Sequence, residues 1–111
     1  MSNAKKKTRE QFRSAVFSRD RYACVMCGLK ATKQTAEEIL DAHHITNRND
    51  MPNGGYVLQN GISLCKDKCH LLAEEDLENV MKHPGFSKED LYRAIKSSYE
   101  QAVAPSKKLS S

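Results

Sequence analysis

The sequence predicts a small α+β domain that depends on metal as much as on its apolar core. Helical periods stand towards both ends of the chain with short extended apolar runs between them, the order expected of an α+β fold. The core is thin, with 39% hydrophobic residues and no Trp in 111 residues, and a domain this size buries little surface to begin with. Four cysteines fall in two close pairs, Cys24 with Cys27 and Cys65 with Cys69. Small domains short of core commonly recruit a metal or disulfides.

The first periodic segment follows Thr8-Arg9-Glu10-Gln11, which has the form of a capping box. Phe12, Ala15 and Val16 then recur at helical spacing and predict a helix over 9–18. In Cys24-Val25-Met26-Cys27-Gly28 two cysteines flank a tight turn, and Gly28 can adopt the positive φ such a knuckle needs. Residues 29–35 are polar and carry no regular period, and 36–40 reads as a helical turn or a lead-in to a strand. A strand is predicted over 39–45, broken at once by Thr46-Asn47-Arg48-Asn49-Asp50. Met51-Pro52-Asn53-Gly54-Gly55 signals a turn, and Tyr56-Val57-Leu58 and Ile62-Ser63-Leu64 read as extended. A helix is expected over 70–81, acidic in its first half, with His83 at its end complementing the helix dipole before Pro84. Ser87 caps a last helix running to about Gln101. One folded domain over 8–103 is expected, between a disordered basic arm or tag remnant at 1–7 and a disordered tail at 104–111. There is no internal repeat.

Charge is unevenly distributed. Residues 1–35 hold nine Lys/Arg against Glu10 and Asp20, a net +7 in a chain whose total is +4. A basic flank of this kind suits a polyanionic ligand. The N-terminus lacks the apolar run that export requires, and no segment is apolar enough to span a bilayer, so a cytoplasmic setting is expected. In a reducing compartment paired cysteines are zinc ligands more often than disulfides. Cys24, Cys27, Cys65 and Cys69 are therefore the candidate structural zinc site. Three residues separate Cys65 from Cys69 where two are commoner, which leaves open whether Cys69 completes it.

Chemistry concentrates between Asp41 and His70. Hydrolysing a phosphodiester needs an activated water, a Lewis acid for the developing charge, and a group that orients the base. His43, His44, Asn60 and His70 supply those types, since a neutral imidazole can either bind a divalent ion or accept a proton. Neighbours on a strand point to opposite faces, so His43 and His44 can share a site only if the strand kinks or ends between them. The succession Ala42-His43-His44-Ile45, then Asn60 before an apolar segment, then Leu64-Cys65 and Cys69-His70, with an early CxxC, resembles the HNH endonuclease family over roughly 12–74.

That resemblance implies a ββα-metal (His-Me finger) core, a two-stranded antiparallel hairpin followed by a helix with one divalent ion (Mg, Mn, Ni or Zn) at their junction. It matches His44 to the general base, His43 and His70 to metal ligands, and Asn60 to the residue that orients the base or supports the loop. Glu74, one turn after His70, is a candidate further ligand. As a base positioned for reaction, His44 is expected to contribute little to folding. Arg9, Arg13, Arg19, Arg21 and Arg48 are the candidate DNA phosphate contacts, Arg48 nearest the scissile bond. The implied activity is metal-dependent cleavage of DNA, double-stranded in the first instance, by an accessory nuclease of bacterial or phage type. Specificity would come from DNA shape, a homodimer or a partner protein. The alternative is an inactive zinc-stabilised nucleic-acid-binding or adaptor module.

Overall fold

The computed structural model describes residues 2–109, with side chains from 6 to 109. At its centre two five-residue strands, β1 (Leu40–His44) and β2 (Gly61–Cys65), pair antiparallel with Leu40 opposite Cys65 and His44 opposite Gly61. All five positions of β2 are buried, so both faces of this small sheet are covered. Helix α1 (Ser2–Arg19) packs against both strands, and helix α3 (Cys69–Leu77), which follows β2, packs against that strand. A Cβ on Gly61 would lie 2.5 Å from Val16 and 2.7 Å from Phe12, so only glycine lets α1 approach this closely. Val16, Phe17, Leu40, Ile45, Ile62, Leu64 and Leu91 are buried around the sheet. The arrangement is compatible with the hairpin-plus-helix core expected from the sequence.

Several boundaries differ from expectation. Helix α1 starts at Ser2, so Thr8 lies within it and not at its cap. No Gly or Pro separates Ser2 from Thr8, and Ala and Lys are good helix formers. Met1, Ser110 and Ser111, assigned to the arm and the tail, lie outside the described residues. Ala36–Ile39 forms the short helix α2 leading into β1. The segment 46–60, expected to be partly extended, is a run of three short 3-10 turns (Arg48–Asp50, Pro52–Gly55 and Leu58–Asn60). Helix α3 stops at Leu77 and not Met81, because Val80 and Met81 find nothing to pack on and stay 67% and 59% exposed.

The single helix predicted from Ser87 is two. Helix α4 (Lys88–Ala94) carries a full capping box between Ser87 and Asp90, and helix α5 (Tyr99–Lys107) has its own cap in Ser98. Lys96, at φ 58°, turns the chain between them. Pro105 sits in the last turn of α5, and the helix persists past it because Ala102 and Ser106 are buried and α5 packs on the 52–55 turn. His83 does not serve the helix dipole as expected. Its Nε2 lies 2.8 Å from Glu75 Oε1, and its backbone N–H donates to Asp76.

Candidate active site

The four cysteines converge. Their sulfurs all lie within 4.8 Å of one another, with Cys24, Cys65 and Cys69 buried and Cys27 exposed. Cys24 and Cys27 sit on a knuckle closed by hydrogen bonds from the Cys24 N–H to Leu29 and from the Gly28 N–H to Cys24, with Gly28 at φ 81°. The knuckle is tied to the sheet where the Val25 N–H donates to the Ser63 carbonyl. Cys65 is the last residue of β2 and Cys69 the first of α3. The three-residue gap is the turn from strand to helix, and it carries Cys69 into the cluster. Tetrahedral zinc with Zn–S bonds near 2.3 Å separates its sulfurs by roughly 3.8 Å; Cys27 Sγ and Cys65 Sγ are 3.8 Å apart. The donors thus fit structural zinc. Burial and the neighbouring Cys24 sulfur push the Cys69 thiol pKa up.

The second cluster uses the alternation of β1. Residues 41 and 43 face α3, and residue 44 faces α1. Asp41 Oδ2 lies 2.7 Å from His70 Nδ1, and Glu74 Oε1 lies 2.9 Å from His70 Nε2 and 3.6 Å from His43 Nδ1. Ligand atoms of His43, His70 and Glu74 fall within 4.8 Å of one another, a histidine and carboxylate set suited to a divalent ion. Buried His43 Nε2 has no hydrogen-bond partner among the described residues. The bond to Asp41 raises the His70 pKa, and bonds to His70 and His43 lower those of Asp41 and Glu74 respectively. This local field favours a cation.

His44 occupies the other face. Its ring stacks on Phe12 at 4.5 Å and meets Tyr56 edge-on at 4.9 Å. Burial, then the charges of Arg48 and His43, push its pKa down to about 4. No kink is needed between the histidines. The strand is paired through His44, and both rings line one cleft of about 450 Å³ together with Asp41, His70 and Glu74.

Asn60 is completely buried, and its side chain bonds to residues other than His44. Its Oδ1 accepts from the Thr46 N–H (2.9 Å) and from Tyr92 Oη (2.8 Å), while Nδ2 donates to the carbonyls of Thr46 (3.1 Å) and Gly55 (3.2 Å). Its hydrogen-bonding capacity is thus spent on the 46–60 loop and on Tyr92.

The arginines divide. Arg9, Arg13 and Arg48 line the cleft, Arg13 also pairing with Glu37 and Arg48 with the Tyr56 hydroxyl. Arg19 turns inward instead. Its guanidinium donates to the carbonyls of Leu58 (2.7 Å) and Gly61 (2.6 Å) and to Asp20, whose carboxylate accepts from the Ser63 N–H. It clamps the last turn of the loop to the start of β2 and has little left for phosphate. Arg21 is exposed at a left-handed turn (φ 57°) and is not part of the cleft lining.

Sequence reasoning passed over Asp41, Phe12, Tyr56 and Tyr92. Asp41 had a signal, since a carboxylate two positions before His43 on a strand shares its face. The aromatic residues had none, being ordinary core types.

The fold and site define a class: a small mixed α/β domain whose sheet-to-helix junction holds a four-sulfur cluster and a histidine and carboxylate cluster. Residues 24–76, just under half of the chain, match the family model described as HNH endonuclease. No curated protein and no solved structure matches the chain. Among the described residues, no helix is long and apolar enough to cross a membrane.

Proposed function

We propose that the domain is a metal-dependent endonuclease hydrolysing DNA phosphodiester bonds, with His44 as general base. The observation that carries this reading is the meeting in one cleft of His44 with three ligand atoms, from His43, His70 and Glu74, within 4.8 Å. A divalent ion bound there would supply the Lewis acid for charge developing on the phosphate and leaving oxygens. His43, His70 and Glu74 would hold it, and Asp41 would fix the ring of His70 from behind.

His44 takes the proton of the attacking water. Held between Phe12 and Tyr56 with a pKa near 4, its ring is neutral at physiological pH and ready to accept. Its Nε2 is enclosed and unpartnered among the described residues, so the accepting atom is Nδ1. Arg48, Arg13 and Arg9 on the cleft wall would neutralise backbone phosphates. Cys24, Cys27, Cys65 and Cys69 would hold zinc as scaffold. Among the described residues there is one such site, so nicking is the expected product. The alternative of an inactive binding or adaptor module leaves the His43, His70 and Glu74 cluster without a role.

Supercoiled plasmid incubated with Mg, Mn, Ni or Zn, with and without chelator, tests the reading. Chelator-sensitive nicking by the wild type and its loss in His44→Gln are expected. No cleavage under any metal, or full activity in the variant, would overturn it.

A further inference from the structure

We infer that Tyr92, on α4 and beyond the residues matched by the family model, is a positioning residue for the candidate base, acting through Asn60. The inference rests on the nuclease reading of the cleft.

The two residues that follow His44 are both held by Asn60. The Ile45 N–H donates to its main-chain carbonyl (2.9 Å) and the Thr46 N–H to its side-chain Oδ1 (2.9 Å). The direction in which β1 leaves the sheet, and with it the seat of the His44 ring, therefore depends on which way the Asn60 amide points. The Thr46 N–H and the two carbonyls orient the amide, and Tyr92 holds it there from outside the loop. Its hydroxyl donates its one proton to Asn60 Oδ1 at 2.8 Å, so the hydroxyl of Thr46, 2.7 Å away, must donate to Tyr92. A flipped Asn60 would turn Nδ2 towards the Thr46 N–H, an obligate donor, force the Tyr92 hydroxyl to give up its bond to Oδ1 and accept instead, and lose the bonds to the carbonyls of Thr46 and Gly55. Asn60 and Thr46 are buried, out of reach of bulk solvent, so such a loss would be costly.

Two further bonds join the C-terminal segment to the same loop. The Ser97 hydroxyl donates to the Gln59 carbonyl (2.8 Å), and Asn53 Nδ2 donates to the Ser106 carbonyl (3.1 Å). The 46–60 loop is thus gripped at three places by residues outside the matched span, and one grip acts on the amide next to the base. A tyrosine serving only the core would need one acceptor anywhere. This one completes a chain from Thr46 through Tyr92 to Asn60.

The experiment compares full-length, zinc-loaded Tyr92→Phe, which keeps the ring, with Leu91→Ala, which loosens the same helix at a fully buried neighbour. Plasmid nicking is read as kcat and KM at 20 °C, and backbone amide exchange of Thr46 by NMR. In Tyr92→Phe, kcat is expected to fall about tenfold with KM within about twofold, since slight misplacement of a reacting group is felt in the chemical step. Thr46 exchange should quicken at least about tenfold. Leu91→Ala should lower Tm by more while leaving kcat near wild type. Wild-type kcat and unchanged Thr46 exchange in Tyr92→Phe would overturn the inference, as would a kcat loss that Leu91→Ala reproduces in proportion to its Tm. A wild type that cleaves under no metal removes the nuclease reading and with it a catalytic role for Tyr92. Thr46 exchange then still reports whether Tyr92 holds the loop.

Discussion

The two ligand clusters sit one peptide bond apart, at Cys69 and His70, yet they are built on opposite principles. The sulfur cluster draws on two distant turns, is mostly buried, and contains four donors of one kind, enough to close a tetrahedron. The histidine cluster contains three donors of mixed kind on two adjacent elements and opens into a cleft. A closed set holds the chain together, whereas an open one leaves room for another molecule. Helix α3 carries both, with its first residue, Cys69, in the sulfur cluster and its second, His70, in the cleft.

Metal removal should separate the clusters most widely. Stripping zinc with a strong chelator should unfold the domain, because structural zinc in small modules contributes on the order of 10 kcal/mol to folding; an unchanged melting curve after verified zinc loss would break the comparison. Next in size is His44→Gln, expected to lower the nicking rate by about 10²-fold or more, the usual span of a general base. Melting should report it too. The ring stacks on Phe12 and abuts Tyr56, so His44→Ala is expected to cost about 1 kcal/mol in packing, where the sequence alone predicted almost none.

Arg19→Ala should destabilise by about 2 kcal/mol, since it strips charge-assisted bonds from the carbonyls of Leu58 in the loop and Gly61 at the start of β2, and should leave the salt dependence of DNA binding unchanged. Asp41→Asn is expected to weaken divalent-ion affinity by roughly 10-fold to 100-fold, measured by calorimetry on zinc-loaded protein, with the sulfur cluster untouched. Smallest is Arg48→Ala. It should weaken DNA binding modestly and reduce the slope of log K against log salt by about one, and an unaltered slope would remove Arg48 from the phosphate contacts.

What could be read from the sequence was local in character. Paired cysteines, adjacent histidines and a turn-rich loop each signal through short spacing, and the cleft assembles from just such pieces. The order of helix, strands and helices was legible for the same reason. What stayed hidden depended on pairing across the fold. Nothing in the composition around Arg19 distinguishes a clamp from a phosphate contact, because the difference lies in two carbonyls some forty residues away. The division of α4 from α5 was missed because Ser87 announced one helix while Ser98, the second cap, fell inside a pattern that still looked continuous. The ends of α1 and α3 followed propensity and packing partners that no single window contains.

The strict alternation along β1 has a consequence for how such a domain can change in length. The loop from Thr46 to Asn60 is made of short turns, and its interior lies away from the sheet pairing. Between Asp41 and His44 a single inserted or deleted residue would exchange the faces, turning the ring of His44 towards Glu74 and that of His43 towards Phe12. Those four residues are where the molecule's tolerance for insertions and deletions should fall to zero, and a scan of one-residue indels from Leu40 to Asn60 would trace that boundary directly.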